Sequence, residues 1–140
     1  MAVRSYNPSE VSVIVAGRII GGFADGTFVG VERNNDSWAL SVGADGEGTR
    51  SKSTDRSGRF TITLNQSSES NEFLTELEAA DDISGTGTFP VLVKDGSGTS
   101  IHEGETCWIV KPASAPYGKE SDNREWIIET DLLRTLVGKN

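Results

Sequence analysis

Only one cysteine and one histidine occur in these 140 residues. A lone thiol, Cys107, allows no disulfide within the chain. One Cys and one His cannot build a zinc site from Cys and His ligands in a single chain. A Ser-His-Asp arrangement would have to use His102, which reads as part of a polar loop, and no Gly-x-Ser-x-Gly elbow accompanies it. Positive charge is short as well: 13 Lys and Arg stand against 21 Asp and Glu, a formal charge of −8. Phosphate contacts need clustered cations, so the chain is poorly suited to hold nucleic acid, though nucleic acid could pass it without being held. No run approaches the ~20 apolar residues that span a bilayer, so no membrane anchor is expected. The opening MAVRSYNPSE lacks the apolar centre of a signal peptide. Cys107, beside Trp108 in an apolar run, reads as a buried structural thiol, in keeping with folding in a reducing cytoplasm.

Other chemistry is missing too. The Asp-Gly pairs at Asp25, Asp45 and Asp95 lack the spaced acids and terminal Glu of a calcium loop and read as hairpin turns. Gly85-x-Gly87 and Gly96-x-Gly98 lack the Lys of a phosphate loop. Acids are plentiful, but nothing singles out a pair for glycoside hydrolysis. No enzyme, cofactor or metal is expected, and a function has to be sought on surfaces.

What is present is β structure. Residues 1–10 form a polar arm, frayed or docked on a neighbour, in which Pro8 argues against regular structure. Val11 to Ile20 is a β-branched strand with Gly17 as a bend or bulge. Phe28–Arg33 follows an Asp-Gly turn. Ser37–Val42 and Phe60–Asn65 alternate with period two and are expected to pair as the arms of a hairpin. Its tip would be the long polar loop 43–58, far longer than the two to five residues hairpins usually need. The only helical pattern is 68–82, with Phe73, Leu74, Leu77 and Ala80 on one face and Ser68 or Ser70 as cap. Phe89–Lys94, Thr106–Lys111, Glu125–Thr130 and Leu132–Val137 complete seven to eight strands. The expected fold is a single mainly β domain over 1–140, a β-sandwich or barrel with one α-helix.

The loop mixes Asp45, Glu47, Asp55 with Arg50, Lys52, Arg56 and Arg59. Near-balanced charge of this kind suits salt-bridging a second copy of the same chain better than binding phosphate.

The run FADGTFVGVERNNDSWALSVGADGEGTRSKSTDRSGRFTITLNQSSESNEFL carries a resemblance, continued by Trp108-Ile109-Val110 and Glu125-Trp126-Ile127-Ile128. It is similar to tail tube proteins of contractile-tailed (myovirus-type) bacteriophages, from about Val11 to Gly138. The specificity lies in the joint order of arm, Asp-Gly hairpin, Gly-Ala-Asp-Gly loop, Asp-Arg-x-Gly, and Asn-containing cap with helix. The resemblance implies a homohexameric ring whose sheets join edge to edge around a lumen. Rings stack into a tube within a contractile sheath, and DNA passes through without specific binding. Implied partners are further copies of the chain, the tail sheath protein, and baseplate and tail terminator proteins. The implied location is the virion tail, assembled in the host cytoplasm. Inter-ring contact would fall to loop residues Asp45, Glu47, Arg50, Lys52, Asp55 and Arg56. Inter-subunit contact would fall to the arm residues Tyr6, Asn7 and Pro8. Glu32, Asp36, Thr61 and Thr63 are candidates for the lumen wall, where acids would repel phosphate. A baseplate tube-initiator or a type VI secretion ring would share the fold. A carbohydrate-binding β-sandwich would instead show aromatics on one exposed face.

Overall fold

Period-two burial sets the architecture. The computed structural model describes residues 3–140, so Met1 and Ala2 of the expected arm lie outside the described residues. Among the described residues the strands are β1 (Val11–Val15), β2 (Arg18–Ile19), β3 (Val29–Arg33), β4 (Trp38–Val42), β5 (Gly48–Lys52), β6 (Gly58–Asn65), β7 (Phe89–Asp95), β8 (Ile101–Ile109), β9 (Asn123–Thr130) and β10 (Arg134–Leu136). One α-helix, α1 (Ser70–Ser84), joins β6 to β7. Eight strands form one antiparallel sheet in the order β2-β1-β7-β8-β9-β6-β3, with β10 also on β8. The sheet curls so that Val13 and Val15, Val91 and Val93, Phe60, Ile62 and Leu64, and Trp126 and Ile128 share one core. This is the mainly β sandwich-like barrel that the sequence implied.

Along β6, Phe60, Ile62 and Leu64 are buried while Arg59, Thr61 and Thr63 point away. β6 lies between β3 and β9, with Phe60 opposite Val31 on one side and Ile128 on the other. Its expected partner, Ser37–Val42, is not beside it. β4 pairs instead with β5, in a separate two-stranded sheet. Loop 43–58 is therefore corrected to a tight turn over 43–47, the strand β5 and a short return segment.

The turn is closed by Gly43 N–H donating to Glu47 O at 2.8 Å, and Gly46 takes φ 89°. The Asp45 carboxylate accepts from Glu47 N–H at 3.1 Å, a local bond that favours this turn. GTRSK offers no apolar alternation, so β5 left no periodic signal.

The strand expected over Val11–Ile20 also folds back. Ala16 and Gly17 both have positive φ, 52° and 81°, and Val15 pairs with Arg18. This is a two-residue primed turn, whose twist matches an antiparallel pair. Asp25-Gly26 closes no hairpin of its own. Ala24 N–H and Phe28 O both bond to Thr63 of β6, so residues 24–27 bulge out from one edge segment.

The helix begins two residues later than expected. Ser68 Oγ accepts from Ser70 N–H at 3.2 Å, and Gly85 (φ 70°) ends it in the left-handed conformation. Leu74 is buried and Phe73 and Leu77 pack partly, whereas Ala80 is exposed because the last turns leave the core. Trp126 Nε1–H donates to Asn71 Oδ1 at 3.0 Å, tying α1 to β9. His102 lies in β8 and not in a loop. It pairs with Val93 and hydrogen-bonds Thr135 through Nδ1.

Candidate functional site

Three surfaces gather the residues that could act in assembly. The first is the β4–β5 hairpin, which projects with every residue of both strands exposed. Register sorts its side chains. Trp38 is opposite Lys52, Leu40 opposite Arg50 and Val42 opposite Gly48, so these share one face. Ala39, Ser41, Thr49 and Ser51 share the other. The half-buried apolar face expected of β4 is thus uncovered: Trp38, Leu40 and Val42 are 43%, 72% and 60% exposed. Arg50 lies over the Trp38 ring at 3.8 Å, a cation–π contact.

Of the loop residues singled out from sequence, Asp45 and Glu47 sit in the turn, and Arg50 and Lys52 on β5. Asp55 and Arg56 are not on the hairpin but at its joint. There Ser53 N–H donates to Ser37 O at 2.8 Å, and Asn34 N–H to Ser57 O at 3.1 Å. Asp55 accepts from Ser57 N–H at 2.8 Å and from the Asn35 amide. Bonds from Ser57, side chain then backbone, and from Asn35 hold its carboxyl below the usual value. Leu133 N–H donates to Arg56 O at 2.8 Å, which places Arg56 against the body.

The second surface is the outward face of β3, β6 and β9. Register aligns Glu32, Arg59 and Glu129 in one row, with Trp108 next to Glu129. Gly30, Thr61 and Ile127 form the next row, and Thr63 lies opposite Glu125. Glu32, Thr61 and Thr63, proposed together from sequence, therefore share a face. Asp36 does not join them, because it lies in the turn after β3. Sequence reasoning missed Glu125 and Glu129, although the alternation in NREWIIET was the signal for their outward direction. Arg59 and Glu129 pair at 3.4 Å, partly exposed and so a weak bond.

The third surface is a cleft of about 530 Å³ where the curled sheet stays open between β3 and the β1–β7 side. Val11, Val29, Val31 and Val93 line it, with Asp95 and His102. Asp95 is 7% exposed. Its Oδ1 accepts from Ser97 N–H at 2.9 Å and Ser97 Oγ–H at 2.7 Å, while Oδ2 has no partner among the described residues.

Tyr6 borders the cleft and is half exposed. Asn7 caps a short 3₁₀ turn, Pro8–Glu10, by accepting from Ser9 N–H. Asn7 N–H reaches Ser97 Oγ at 3.4 Å, and the Asn140 amide donates to Ser5 O at 2.9 Å. From Ser5 onward the expected polar arm is thus laid on its own subunit and has regular structure at Pro8.

Burial pushes the His102 imidazole below its ordinary value of 6.5. Near pH 6 the unfolded chain then binds more protons than the folded one. The contribution is complete above 6.5 and is lost as pH falls from there towards the folded value. The melting-temperature advantage of the parent over His102→Gln is expected to shrink between about pH 7 and pH 5. Parallel curves for the two proteins would contradict this.

The comparisons with known proteins agree on a class. The family model described as Bacteriophage PhiTE tail tube protein matches residues 12–138. "Structural protein ORF10" of Pseudomonas phage KPP10 is 32% identical over 132 residues, covering 89% of this chain and 76% of that protein. The chain is similar in structure to a tube and sheath terminator of an extracellular contractile injection system, with a TM-score of 0.67 and 9% identity. That match covers 98% of this chain and all of the other. It is also similar to the tube-terminating cap of the anti-feeding prophage, with a TM-score of 0.64 at 8% identity, over 97% of this chain and 94% of that one. Likeness at such identity shows the fold alone. The family match spans nearly the whole chain, and the chain belongs to the bacteriophage PhiTE tail tube protein family, a structural protein of the virion and not an enzyme.

Proposed function

We propose that copies of this chain close into hexameric rings that stack as the tube of a contractile tail, through which DNA leaves the virion. The observation that carries the reading is the outward face of β3, β6 and β9. It sets Glu32, Glu125 and Glu129 against the one cation Arg59, among hydroxyls, a glycine and Ile127, on a wall backed by the core. Repeated around a lumen, such a wall repels phosphate and offers DNA nothing to grip. Thr61 and Thr63 belong to it, and Asp36 does not.

Ring closure is supported by β3, whose outer edge has no partner strand among the described residues. Such an edge invites a neighbour's strand, and a head-to-tail contact that closes by rotation gives a ring. The projecting hairpin, with Asp45, Glu47, Arg50 and Lys52, reaches the next ring in this reading, and Tyr6, Asn7 and Pro8 border that contact. The sheath, the baseplate and a terminator are the proposed partners. Support for the sheath and terminator comes from similarity to a sheath–tube complex, at a TM-score of 0.58 and 10% identity over 94% of this chain and 91% of that one, and to the terminators above.

Negative-stain electron microscopy of the purified full chain at rising concentration tests the reading. Hollow tubes or six-fold rings are expected. Dispersed monomers at every concentration, with or without preformed tube ends as seeds, would overturn it.

A further inference from the structure

We propose that the apolar face of the β4–β5 hairpin of one copy closes the open cleft of a neighbouring copy, with Arg50 meeting the buried carboxylate of Asp95. This rests on the reading that copies assemble, and it names the surface that receives the hairpin.

The two surfaces complement each other. The hairpin presents three large apolar side chains in a row, Trp38, Leu40 and Val42, all exposed, with Arg50 resting on Trp38. A two-stranded sheet is marginal alone in water and gains most from covering such a face. The cleft is the matching defect. Five valines and Phe28 give it an apolar lining, and it is open to solvent with room for several side chains.

Charge selects the pairing. Asp95 is more than nine-tenths buried, and its Oδ2 lacks a partner among the described residues. None of the described residues lining the cleft is Lys or Arg. An unpaired carboxylate oxygen in an apolar wall is costly, and a cation brought with apolar neighbours removes that cost. Arg50 suits the task. Its guanidinium already rests on the Trp38 ring, and its edge N–H groups are left free to donate. The hairpin of the same chain is not the occupant. It leaves β3 beyond Arg33, at the end away from Thr27 and Phe28 on the cleft rim, and none of its residues lines the cleft. With the apolar face seated, Ser41, Thr49 and Ser51 are left as the exposed side of the hairpin. They are hydroxyls like those of the proposed lumen wall.

The test uses full-length chains with one substitution each. A Leu40→Cys chain is mixed with a Thr27→Cys or a Val137→Cys chain, then oxidised under tube-forming conditions. Native Cys107 is buried and does not compete. Mixed disulfide dimers are expected with at least one cleft position, and no dimers from any chain alone. In parallel, Asp95→Asn and Arg50→Gln are each expected to raise the concentration needed for tube growth by at least about tenfold, with the double variant no worse than either. Asn keeps the acceptor that Ser97 uses, so the subunit fold is retained.

Tubes without a mixed disulfide, or additive effects of the two substitutions, overturn the docking and leave the tube reading standing. Mixed disulfide without tubes supports the docking and overturns the tube. Neither tubes nor disulfide overturns both.

Discussion

Excising Trp38–Lys52 and joining Ser37 to Ser53 by an Asn-Gly turn is expected to leave a folded subunit that no longer grows tubes. The join is short, because Ser53 N–H already donates to Ser37 O at 2.8 Å, and a two-residue primed turn suits an antiparallel pair. The excision removes no buried side chain, since β4 and β5 are exposed throughout. The melting temperature should therefore stay within about 4 °C of the parent, the shift that ~1 kcal/mol produces in a domain of this size. Tube growth should fail, because in the proposed tube the hairpin is the element that reaches the next ring. Circular dichroism melts and sedimentation of assembled material check the two halves. Tubes of normal length and number from the shortened chain would remove the hairpin from assembly.

The second large effect concerns the subunit itself. Phe60→Ala is expected to destabilise the fold by about 3–5 kcal/mol, through lost burial and the cavity left behind. Phe60 is fully buried at the middle of the sheet, between Val31 and Ile128. A loss of that size is a large share of the ~5–15 kcal/mol that holds an ordinary domain together. Thr61→Ala, one residue along but on the outward face, should change stability by no more than about 0.5 kcal/mol. Denaturant titration of both variants decides it. Equal shifts in midpoint would mean that β6 does not separate core from surface as its alternation implies.

That alternation was the most legible feature of the sequence. FTITLN and NREWIIET are buried on one side and polar on the other, and such a pattern fits only one register against a core. Helix α1 was legible through Phe73, Leu74 and Leu77, though Ala80 shows that periodicity continues past the point where packing stops. Pairing was not legible. WALSV has the pattern of a half-buried strand, yet its apolar side faces outward, and no local rule tells a core from a neighbour's surface. β5 was hidden because GTRSK is polar on both faces, and only the Asp45-Gly46 turn marked it. Of the candidate lumen residues, three of four came from strands and share a face. Asp36 does not share that face, because a turn residue has no period to fix its direction. Asp95 signalled only a turn, since an acid at a strand end is ordinary until its burial, and an oxygen without a partner among the described residues, are seen.

The strand order has a consequence for synthesis on the ribosome. β6 sits between β3, which precedes it closely, and β9, which follows only after the helix and two further strands. Early in translation one side of β6 can be satisfied and the other cannot. Phe60, Ile62 and Leu64 stay partly uncovered until Asn123–Thr130 has left the exit tunnel. Non-local pairing of this kind slows folding and prolongs the exposure of open edges. The β4–β5 hairpin closes over only five residues and can form as soon as it is made. A nascent chain thus displays its apolar hairpin face before it owns a finished cleft. Newly made copies then acquire the two halves of the proposed contact in sequence, the hairpin first and the cleft last.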